Sequence, residues 1–344
     1  MSYIRGRYQR VHVSDCASES VPLSTGVPQG SVLGPLLFLI YILPLKDLID
    51  SYNISRHGYA DDTQLYDRIN LNTNQSVQGT IHNMEMCVIA IRKWMRYNKL
   101  MLNDAKTEVI IISKSTQRKY VEGITVKVGE TTIVPAKFVK NLGCMIDETM
   151  SMEKQVQSVV RSANFHLRRI GKIRQFLDPN ACAKVVNATV TSRLDYHNTV
   201  LCGTHDKTIR PLQVVQNNAA RLLSRTGRRE HITPVLKALH WLPIKQRVLF
   251  KSLMMIHKAL HNDNAPRYLT EMFKVYHPSR ILRSAMDNWT LCVPRSKSHY
   301  GHRSTQVFPV NVWNTLPIGI RGPISTNTFK RRLKTVLFET AFAI

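Results

Sequence analysis

The sequence predicts an α+β fold in which antiparallel strands with helices on one face precede a mostly helical, strongly basic region. Residues 3–112 alternate β-forming runs with apolar helical segments. Beyond residue 150, apolar residues recur at helical spacing. Residues 1–150 carry 17 Lys and Arg against 14 Asp and Glu, whereas the remaining residues carry 31 against 9. A one-signed charge of this size favours a polyanionic partner, either nucleic acid or an anionic membrane surface.

Size and composition indicate a globular protein with a sizeable core. The chain has 344 residues, of which 43% are hydrophobic and 21% charged. Its 6 cysteines are scattered without a Cys-x-x-Cys pair, so we expect reduced thiols inside a cell. Cys202 with His197 and His205 lacks an evident fourth ligand, so a zinc site is not predicted. The N-terminus shows no signal-peptide pattern.

The N-terminal part reads as a strand, a tight loop and an apolar helix. Residues 3–13 predict a strand with exposed positive charge. Gly26, Pro28 and Gly30 predict a tight exposed loop whose backbone either lies against a ligand or simply connects strand to helix. Ser31 is expected to cap the helix that follows. The apolar run 32–45 is short for a membrane span and contains two prolines, so we expect a buried core helix.

A hairpin is predicted next, with Ala60, Asp61 and Asp62 at its tip. Two carboxylates held together repel each other unless a cation lies between them. Proteins bind Mg²⁺ with one or two carboxylates, while water and substrate phosphates complete the shell. The alternative is that Asp-Asp only makes a turn, which Asp favours for local reasons.

The later elements follow from periodicity. Apolar residues from Val77 to Met95 recur at steps of three and four and predict an amphipathic helix. A strand is expected over 109–112 and one β-hairpin over 120–147. Helices are then predicted from Met152, from Pro179 behind an Asp178 N-cap, and over 208–224, 245–260 and 328–342, with less regular chain beyond about 275.

The polar faces of these helices are basic. Such a face is often only solvated, but one sign of charge over the whole second half of the chain favours contacts with phosphates. The predicted nucleic-acid-binding residues are Arg161, Arg168, Arg169, Lys172 and Arg174 on the first basic helix, and Arg225, Arg228 and Arg229 after the third.

Two motifs carry a resemblance to a known family. The run 24–38 (STGVPQGSVLGPLLF) followed by Tyr59-Ala60-Asp61-Asp62 resembles the palm of a reverse transcriptase. The chain is most similar to the non-LTR (LINE-type) retrotransposon enzymes of the jockey-like branch. Further segments resemble patterns of the same family, namely Asn98-Lys99-Leu100-Met101-Leu102-Asn103, Lys106-Thr107-Glu108, Val139-Lys140-Asn141-Leu142-Gly143, Ser192-Arg193-Leu194-Asp195-Tyr196, Gln216-Asn217-Asn218-Ala219-Ala220-Arg221, Leu239-His240-Trp241-Leu242-Pro243, Val312-Trp313-Asn314-Thr315-Leu316-Pro317 and Phe329-Lys330-Arg331-Arg332-Leu333-Lys334.

The resemblance implies a division of the chain and roles for its residues. It implies a partial polymerase palm over 1–118, a primer-grip-like hairpin over 119–148, thumb-like helices over 149–203 and a basic helical region over 204–344. Asp61 and Asp62 would be catalytic and would hold Mg²⁺ (or Mn²⁺), and Tyr59 would lie close to the primer end. Gly26, Pro28, Gln29 and Gly30 would pack against template and nucleotide. Lys106 would be a further catalytic residue, a general acid near the triphosphate, and Lys140 would bind nucleic acid as part of the primer grip.

The implied activity is RNA-directed DNA synthesis with an RNA template, a DNA primer or RNA–DNA hybrid, and dNTPs. The family's first palm aspartate is expected upstream of the segment resembling 3–13, as are the fingers and endonuclease. We therefore expect poor synthesis or none by this chain, and a non-enzymatic nucleic-acid-binding remnant is the alternative. Further expected partners are the element's own RNA and an upstream protein region. The expected location is intracellular, with synthesis in the cytoplasm and function in the nucleus.

Overall fold

The computed structural model describes residues 5–71, 74–277 and 289–342. It contains both helices and strands, so the predicted α+β class is confirmed. The chain forms two compact units. The first comprises Met1–Val109 with Thr116–Pro135, and the second comprises Ile110–Ser115 with Ala136–Ile344. The finer division into four segments stays a prediction. Residues 3 and 4 of the first predicted strand lie outside the described residues.

The strands pair antiparallel, as predicted, but in separate hairpins. Within the described ranges they form five two-stranded sheets, β1–β4, β2–β3, β5–β6, β7–β8 and β9–β10, and one continuous sheet is not formed. Their bounds are β1 Arg7–Gln9, β2 His12–Val13, β3 Cys16–Ala17, β4 Val21–Leu23, β5 Ser55–Tyr59, β6 Asp62–Tyr66, β7 Val126–Val128, β8 Thr131–Ile133, β9 Phe138–Asn141 and β10 Cys144–Asp147.

Two strand predictions are wrong. Residues 109–112 are irregular because no described strand pairs with them, and a strand needs a partner for its backbone groups. The single hairpin expected over 120–147 is two hairpins, since Gly129 and Gly143 each sit in a tight turn with positive φ (62° and 82°). Both turn glycines are present in the sequence, so the two turns are local features of it.

The first unit contains α1 Gly34–Ile42, α2 Leu45–Asp50 and α3 Asn74–Tyr97. The second contains the remaining helices, with a π-helical turn at Asn187–Thr191 between α5 and α6. Their bounds are α4 Glu153–Ile173, α5 Pro179–Val186, α6 Ser192–Asp195, α7 Asp206–Ser224, α8 Thr233–Ala238, α9 Ile244–His261, α10 Arg267–Thr270, α11 His299–Arg303, α12 Phe308–Thr315, α13 Ile318–Arg321 and α14 Thr326–Phe342.

The helix predictions are largely confirmed. The long periodic runs form α3, α4, α7, α9 and α14 within one to three residues of the expected ends. Asp178 caps α5 as expected, because its Oδ1 accepts from the backbone N–H of Asn180 at 2.9 Å and of Ala181 at 3.0 Å. The irregular chain expected beyond 275 instead contains α11, α12 and α13.

Two predictions for the apolar run 32–45 and its cap are wrong. It forms α1, but the helix is not a core helix, since Leu36 is 56% exposed and Ile40 is 59% exposed. Only Gly34 of α1 is buried, because the described chain places no second layer over this helix. Ser31 does not cap it. The Ser31 hydroxyl donates to the Pro28 carbonyl at 2.7 Å, and the helix begins behind Leu33 without a side-chain cap.

The first unit has a small core where α2 meets α3. Leu45 and Ile49 of α2 and Ile54 pack against Cys87 and Ile91 of α3. The amphipathic stripe predicted for α3 therefore faces this core. Ile54 directly precedes β5 in the sequence. Its burial in this core therefore anchors the base of the β5–β6 hairpin.

The second unit contains two larger hydrophobic clusters that share α9. The first cluster surrounds α4, α5 and α7 and includes Ile244 and Val248 from the start of α9. The second surrounds α12 and α14 and includes Leu253, Ile256 and Ala259 from the rest of α9. One helix thus supplies buried side chains to both clusters, which ties them together.

The second cluster contains a buried histidine that makes stability depend on pH. His257 stacks on Phe329 with ring centroids 4.0 Å apart. Burial, and to a lesser extent the charge of His261, lower the pKa of His257 from 6.5 to about 4, against the opposing effect of a hydrogen bond with the Ile324 backbone. The unfolded chain therefore binds a proton that the folded chain excludes between these two pKa values, so stability falls with acidification across that range.

We expect the unfolding free energy to be roughly 2 kcal/mol lower at about pH 5 than at about pH 8, as urea titrations would measure. In His257→Phe, which keeps an aromatic ring against Phe329, most of this slope should disappear. The exposed His231→Asn is the control and should keep the slope. An equal slope in the His257 variant and the unchanged protein would show that other groups titrate.

Candidate functional site

The β5–β6 hairpin presents the two predicted catalytic carboxylates at its tip. Tyr59 pairs directly with Asp62, so Ala60 and Asp61 form a two-residue turn. Ala60 has a φ of 54°, which a turn with positive φ at its first central position requires and which costs an alanine about 1 kcal/mol. Asp61 and Asp62 are exposed and Tyr59 is 67% exposed. As cross-strand partners, the Tyr59 ring and the Asp62 carboxylate lie on the same face.

The predicted nucleotide-contacting loop is tight and exposed, as the glycines indicated. Gly26 and Gly30 have φ angles of 78° and 79°, which the loop path requires and which favour glycine. Pro28 and Gln29 lie between them and are exposed. Arg7 of β1 anchors the loop, because its Nη2 donates to the Gly26 carbonyl at 2.6 Å. Sequence reasoning missed this role of Arg7, since nothing local marks an anchor 19 residues away.

Lys106 is not brought into contact with the carboxylates. It ends a 3₁₀ turn, Asp104–Lys106, and is exposed. The turn is held to α3 by an ion pair between Asp104 and Arg92. Within the part of the chain that the structure describes, Lys106 forms no ion pair or hydrogen bond with Asp61 or Asp62. Its role near a triphosphate therefore stays a prediction.

The donor set at the tip fits a divalent cation in an open site. Carboxylate oxygens are the ligands that hard divalent cations prefer, and Mg²⁺ keeps several waters when bound by one or two carboxylates. Across residues 5–71, 74–277 and 289–342, no group of three His, Cys, Asp or Glu residues could hold a metal ion. Water and substrate oxygens must then complete the shell.

The basic residues predicted on α4 are exposed, with one exception. Arg161, Arg168, Arg169 and Lys172 face solvent. Arg174 is wrong as a nucleic-acid contact because it is 9% exposed and its guanidinium is used internally. Its Nε donates to the Leu222 carbonyl at 3.0 Å and its Nη2 to the Leu223 carbonyl at 3.3 Å. Arg174 therefore satisfies carbonyls at the end of α7, which have no intrahelical partner.

The run after α7 is a clamped basic loop. Arg225, Arg228 and Arg229 are exposed, and Arg225 has a positive φ of 57° that ends the helix. Arg221 holds the loop, donating through Nε to the Gly227 carbonyl at 3.2 Å and through Nη2 to the Glu230 carbonyl at 2.7 Å. Sequence reasoning missed Arg221 as a positioning residue, although its place one turn before the run is a usable signal.

Lys140 lies in β9, opposite Met145 of β10, and is exposed. Asp147 joins this hairpin to α4. Its carboxylate accepts from the backbone N–H groups of Thr149 at 3.1 Å, Ser151 at 2.9 Å and Met152 at 2.8 Å. It also accepts from the hydroxyls of Thr149 and Ser151 at 2.6 and 3.2 Å. Asp147 therefore orders the turn that joins the β9–β10 hairpin to α4.

Comparison with known families explains this arrangement. Residues 2–146 match the family described as reverse transcriptase (RNA-dependent DNA polymerase). Over this segment, which is less than half of the chain, the sequence is similar to reverse transcriptases. The matched segment contains the Gly26–Gly30 loop, the Asp61–Asp62 tip and Lys140. Reverse transcriptases use divalent metal ions, a nucleic-acid template and dNTPs, which accords with an exposed carboxylate pair. The predicted resemblance is confirmed at the family level.

Two relatives come from mobile elements of Drosophila melanogaster. The chain is 26% identical over 121 residues to the RNA-directed DNA polymerase from mobile element jockey, covering 33% of this chain and 13% of that protein. It is 22% identical over 244 residues to the probable RNA-directed DNA polymerase from transposon X-element, covering 65% of this chain and 24% of that protein. The matches thus span less than a quarter of each relative. No solved structure matches the chain significantly.

The described helices give no support to the alternative of membrane association. Among the described residues, no helix is both long and apolar enough to cross a bilayer. The apolar helix α1 has 9 residues, whereas a span needs about 20.

Proposed function

We propose that this reverse transcriptase segment supplies the metal-binding hairpin of an RNA-directed DNA polymerase of the non-LTR retrotransposon type. The observation that carries the proposal is the exposed Asp61–Asp62 pair on a two-residue turn inside the matched segment. The proposed substrates are an RNA template, a DNA primer or RNA–DNA hybrid, and dNTPs. The proposed ion is Mg²⁺, for which Mn²⁺ can substitute because it accepts the same oxygen ligands.

Each residue of the hairpin has a distinct proposed task. The Asp61 and Asp62 carboxylates hold the ion at a tip that no other described side chain covers. A bound divalent ion would polarise phosphoryl oxygens and lower the pKa of the primer 3′-hydroxyl. Tyr59 presents its ring on the Asp62 face, where it would pack against the primer-end sugar. The Gly26–Gly30 backbone would lie against the template and incoming nucleotide, and Lys106 would meet phosphate charge.

We further propose that the basic surfaces of the second unit contact nucleic-acid phosphates. Arg161, Arg168, Arg169 and Lys172 lie on the exposed side of α4, and Lys140 lies on the hairpin that Asp147 ties to it. Guanidinium groups bind phosphate oxygens in a bidentate way, which suits backbone contacts that do not depend on sequence. The clamped loop of Arg225, Arg228 and Arg229 adds three cations with a fixed backbone.

A second candidate function is nucleic-acid binding without catalysis. One observation favours it: the described residues contain no third carboxylate placed to share an ion with Asp61 and Asp62. A tip with two adjacent ligands alone binds a divalent ion weakly, and its hold then depends on the phosphates of a bound nucleotide.

Metal binding at the tip separates the two candidates. We expect Mn²⁺ to broaden the NMR signals of Ala60 to Thr63, and added dNTP to strengthen the effect. Asp61→Asn should abolish this broadening, because it removes one of the two carboxylates. Asp67→Asn is the matched control, since Asp67 lies beyond the other end of β6, and it should leave the broadening unchanged. Broadening that survives in Asp61→Asn would place the ion elsewhere and favour the non-catalytic function.

Primer extension completes the test. With an RNA template, Mg²⁺ and dNTPs, we expect this chain to synthesise poorly or not at all, equally so with Asp61→Ala. Nucleic-acid binding should persist in both proteins. Robust synthesis that depends on Asp61 would show that the site is complete within these residues.

A further inference from the structure

A groove between α4 and α7 is lined by side chains that suit more than phosphate. It has a volume of about 510 Å³ and is lined by Arg161, Asn164, Leu167, Arg168 and Asn218. This volume lies within the range of pockets that hold small organic ligands. From its lining we propose that the groove binds an unpaired nucleotide of single-stranded nucleic acid, through its flanking phosphates and the edge of its base.

The helix geometry brings these side chains together. Arg161, Asn164 and Arg168 are spaced by three and four residues, so they share one face of α4. Arg174 at the end of α4 bonds to the carbonyls of Leu222 and Leu223 at the end of α7. The two C-terminal ends therefore lie side by side, and Asn218, six residues before the end of α7, reaches the level of Arg168. The groove is a consequence of this register.

The polar side chains of the groove are available to a ligand. Within the described ranges, the side chains of Arg161, Asn164, Arg168 and Asn218 form no hydrogen bond or ion pair. In contrast, the neighbouring Asn217 accepts from Gln213 at 2.8 Å. No carboxylate is among the lining residues, so the two guanidinium groups are not neutralised locally.

The chemistry of the lining distinguishes a nucleotide from other polyanions. The guanidinium groups suit phosphates in any nucleic acid or acidic peptide. The two carboxamides each offer a donor and an acceptor, the pairing that base edges require. Leu167 adds an apolar surface for a base face. A carboxamide can meet the edge of an unpaired base, whereas a duplex turns those edges inward and presents mainly its backbone.

The groove continues into further positive charge. Lys172 lies one turn beyond Arg168 on α4. Arg225 follows the C-terminal end of α7, which lies beside the C-terminal end of α4. If one base of a single-stranded nucleic acid enters the groove, the next phosphates of that nucleic acid would therefore lie near Lys172 and near the clamped loop. This inference deepens the proposed nucleic-acid surface of the second unit and rests on it, but not on the metal site.

Fluorescence anisotropy with short labelled oligonucleotides tests the inference. Single-stranded RNA, single-stranded DNA and a duplex of the same sequence are compared at one salt concentration. We expect Asn218→Ala to weaken single-strand binding by roughly tenfold, and to leave the salt dependence and duplex binding unchanged. Arg168→Ala should weaken both and reduce the slope of log K against log salt by about 1.

Matched controls lie on the same helix outside the groove. Asn217→Ala removes a carboxamide that faces Gln213, and Arg210→Ala removes an exposed charge near the start of α7. Asn217→Ala should leave single-strand binding unchanged, and Arg210→Ala should lower it less than Arg168→Ala. Unchanged far-UV circular dichroism would show that each variant is folded.

The outcomes are separable. Tighter binding of RNA than DNA would assign a contact to the 2′-hydroxyl, and equal binding would assign only the shared phosphate and base chemistry. Equal single-strand affinity of Asn218→Ala and the unchanged protein would overturn the groove while leaving the phosphate surface intact. Displacement by polyglutamate as readily as by RNA, or equal affinity for duplex, would also overturn it. Absence of all nucleic-acid binding would instead refute the proposed function of this surface.

Discussion

Replacing Trp313 by alanine should lower the unfolding free energy by about 3–5 kcal/mol, the cost of truncating a fully buried aromatic side chain. Trp313 is 0% exposed in the second hydrophobic cluster of the second unit. Its ring lies 5.7 Å from that of Phe329, and its Nε1 donates to the Trp289 carbonyl at 2.8 Å. The substitution therefore opens a cavity and also leaves the partly buried Trp289 carbonyl without its donor.

Urea unfolding followed by far-UV circular dichroism measures this loss, since the second unit contains most of the helix. Trp313→Phe is the matched control because it keeps most of the ring volume and loses only the indole N–H. We expect it to lose roughly 1–2 kcal/mol. A loss below about 1 kcal/mol in the alanine variant would mean that the second cluster is not packed around this indole.

Replacing Asp147 by alanine should lower the unfolding free energy by about 2–4 kcal/mol, because it leaves the backbone N–H groups of Thr149, Ser151 and Met152 without their acceptor just before α4. Asp147 is 7% exposed and accepts five hydrogen bonds at the entry to α4. Two comparisons calibrate the effect. Asp178→Ala removes an exposed cap with two bonds and should cost about 1 kcal/mol. Asp147→Asn keeps one acceptor oxygen and should lose less than alanine.

The acid limb of stability should change with Asp147 as well. Burial alone would raise the pKa of this carboxyl, but the hydrogen bonds from Thr149, Ser151 and Met152 outweigh burial and hold its pKa below 3.8. A carboxyl with a depressed folded pKa stabilises the fold above its unfolded pKa and loses this contribution as pH falls through the folded value. The loss in Asp147→Ala should therefore be full near neutral pH and shrink below about pH 4. A loss independent of acidity would assign it to packing alone.

Local patterns were sufficient for the helices and for the hairpin that carries Asp61 and Asp62. A helix that buries one face shows this in its own spacing, so α3, α4, α7, α9 and α14 could be predicted without knowing their partners. The Asp61–Asp62 tip was predictable because turn chemistry and register are set within a few residues. The motifs around them also identified the family, which the match over 2–146 confirms.

What depends on distant partners was not predictable. Arg174 carries the same charge as Lys172, and it is buried only because the end of α7, 48 residues later, needs donors for its carbonyls. The apolar run in α1 has the composition of a core helix, yet burial requires a covering layer that the described chain does not place there. Residues 109–112 have strand propensity but no strand beside them. In each case the deciding interaction lies far away in the sequence.

Because α9 belongs to both hydrophobic clusters, it affects how the second unit unfolds on heating. Helix α9 buries Ile244 and Val248 in the first cluster and Leu253 and Ile256 in the second. While α9 stays folded, neither cluster can unfold independently of the other. The unit should thus unfold as one cooperative block, not cluster by cluster. Any ligand held between α4 and α7 then delays the melting of α12 and α14 by mass action. The indole of Trp313, which never touches that ligand, becomes a remote fluorescent reporter of its presence.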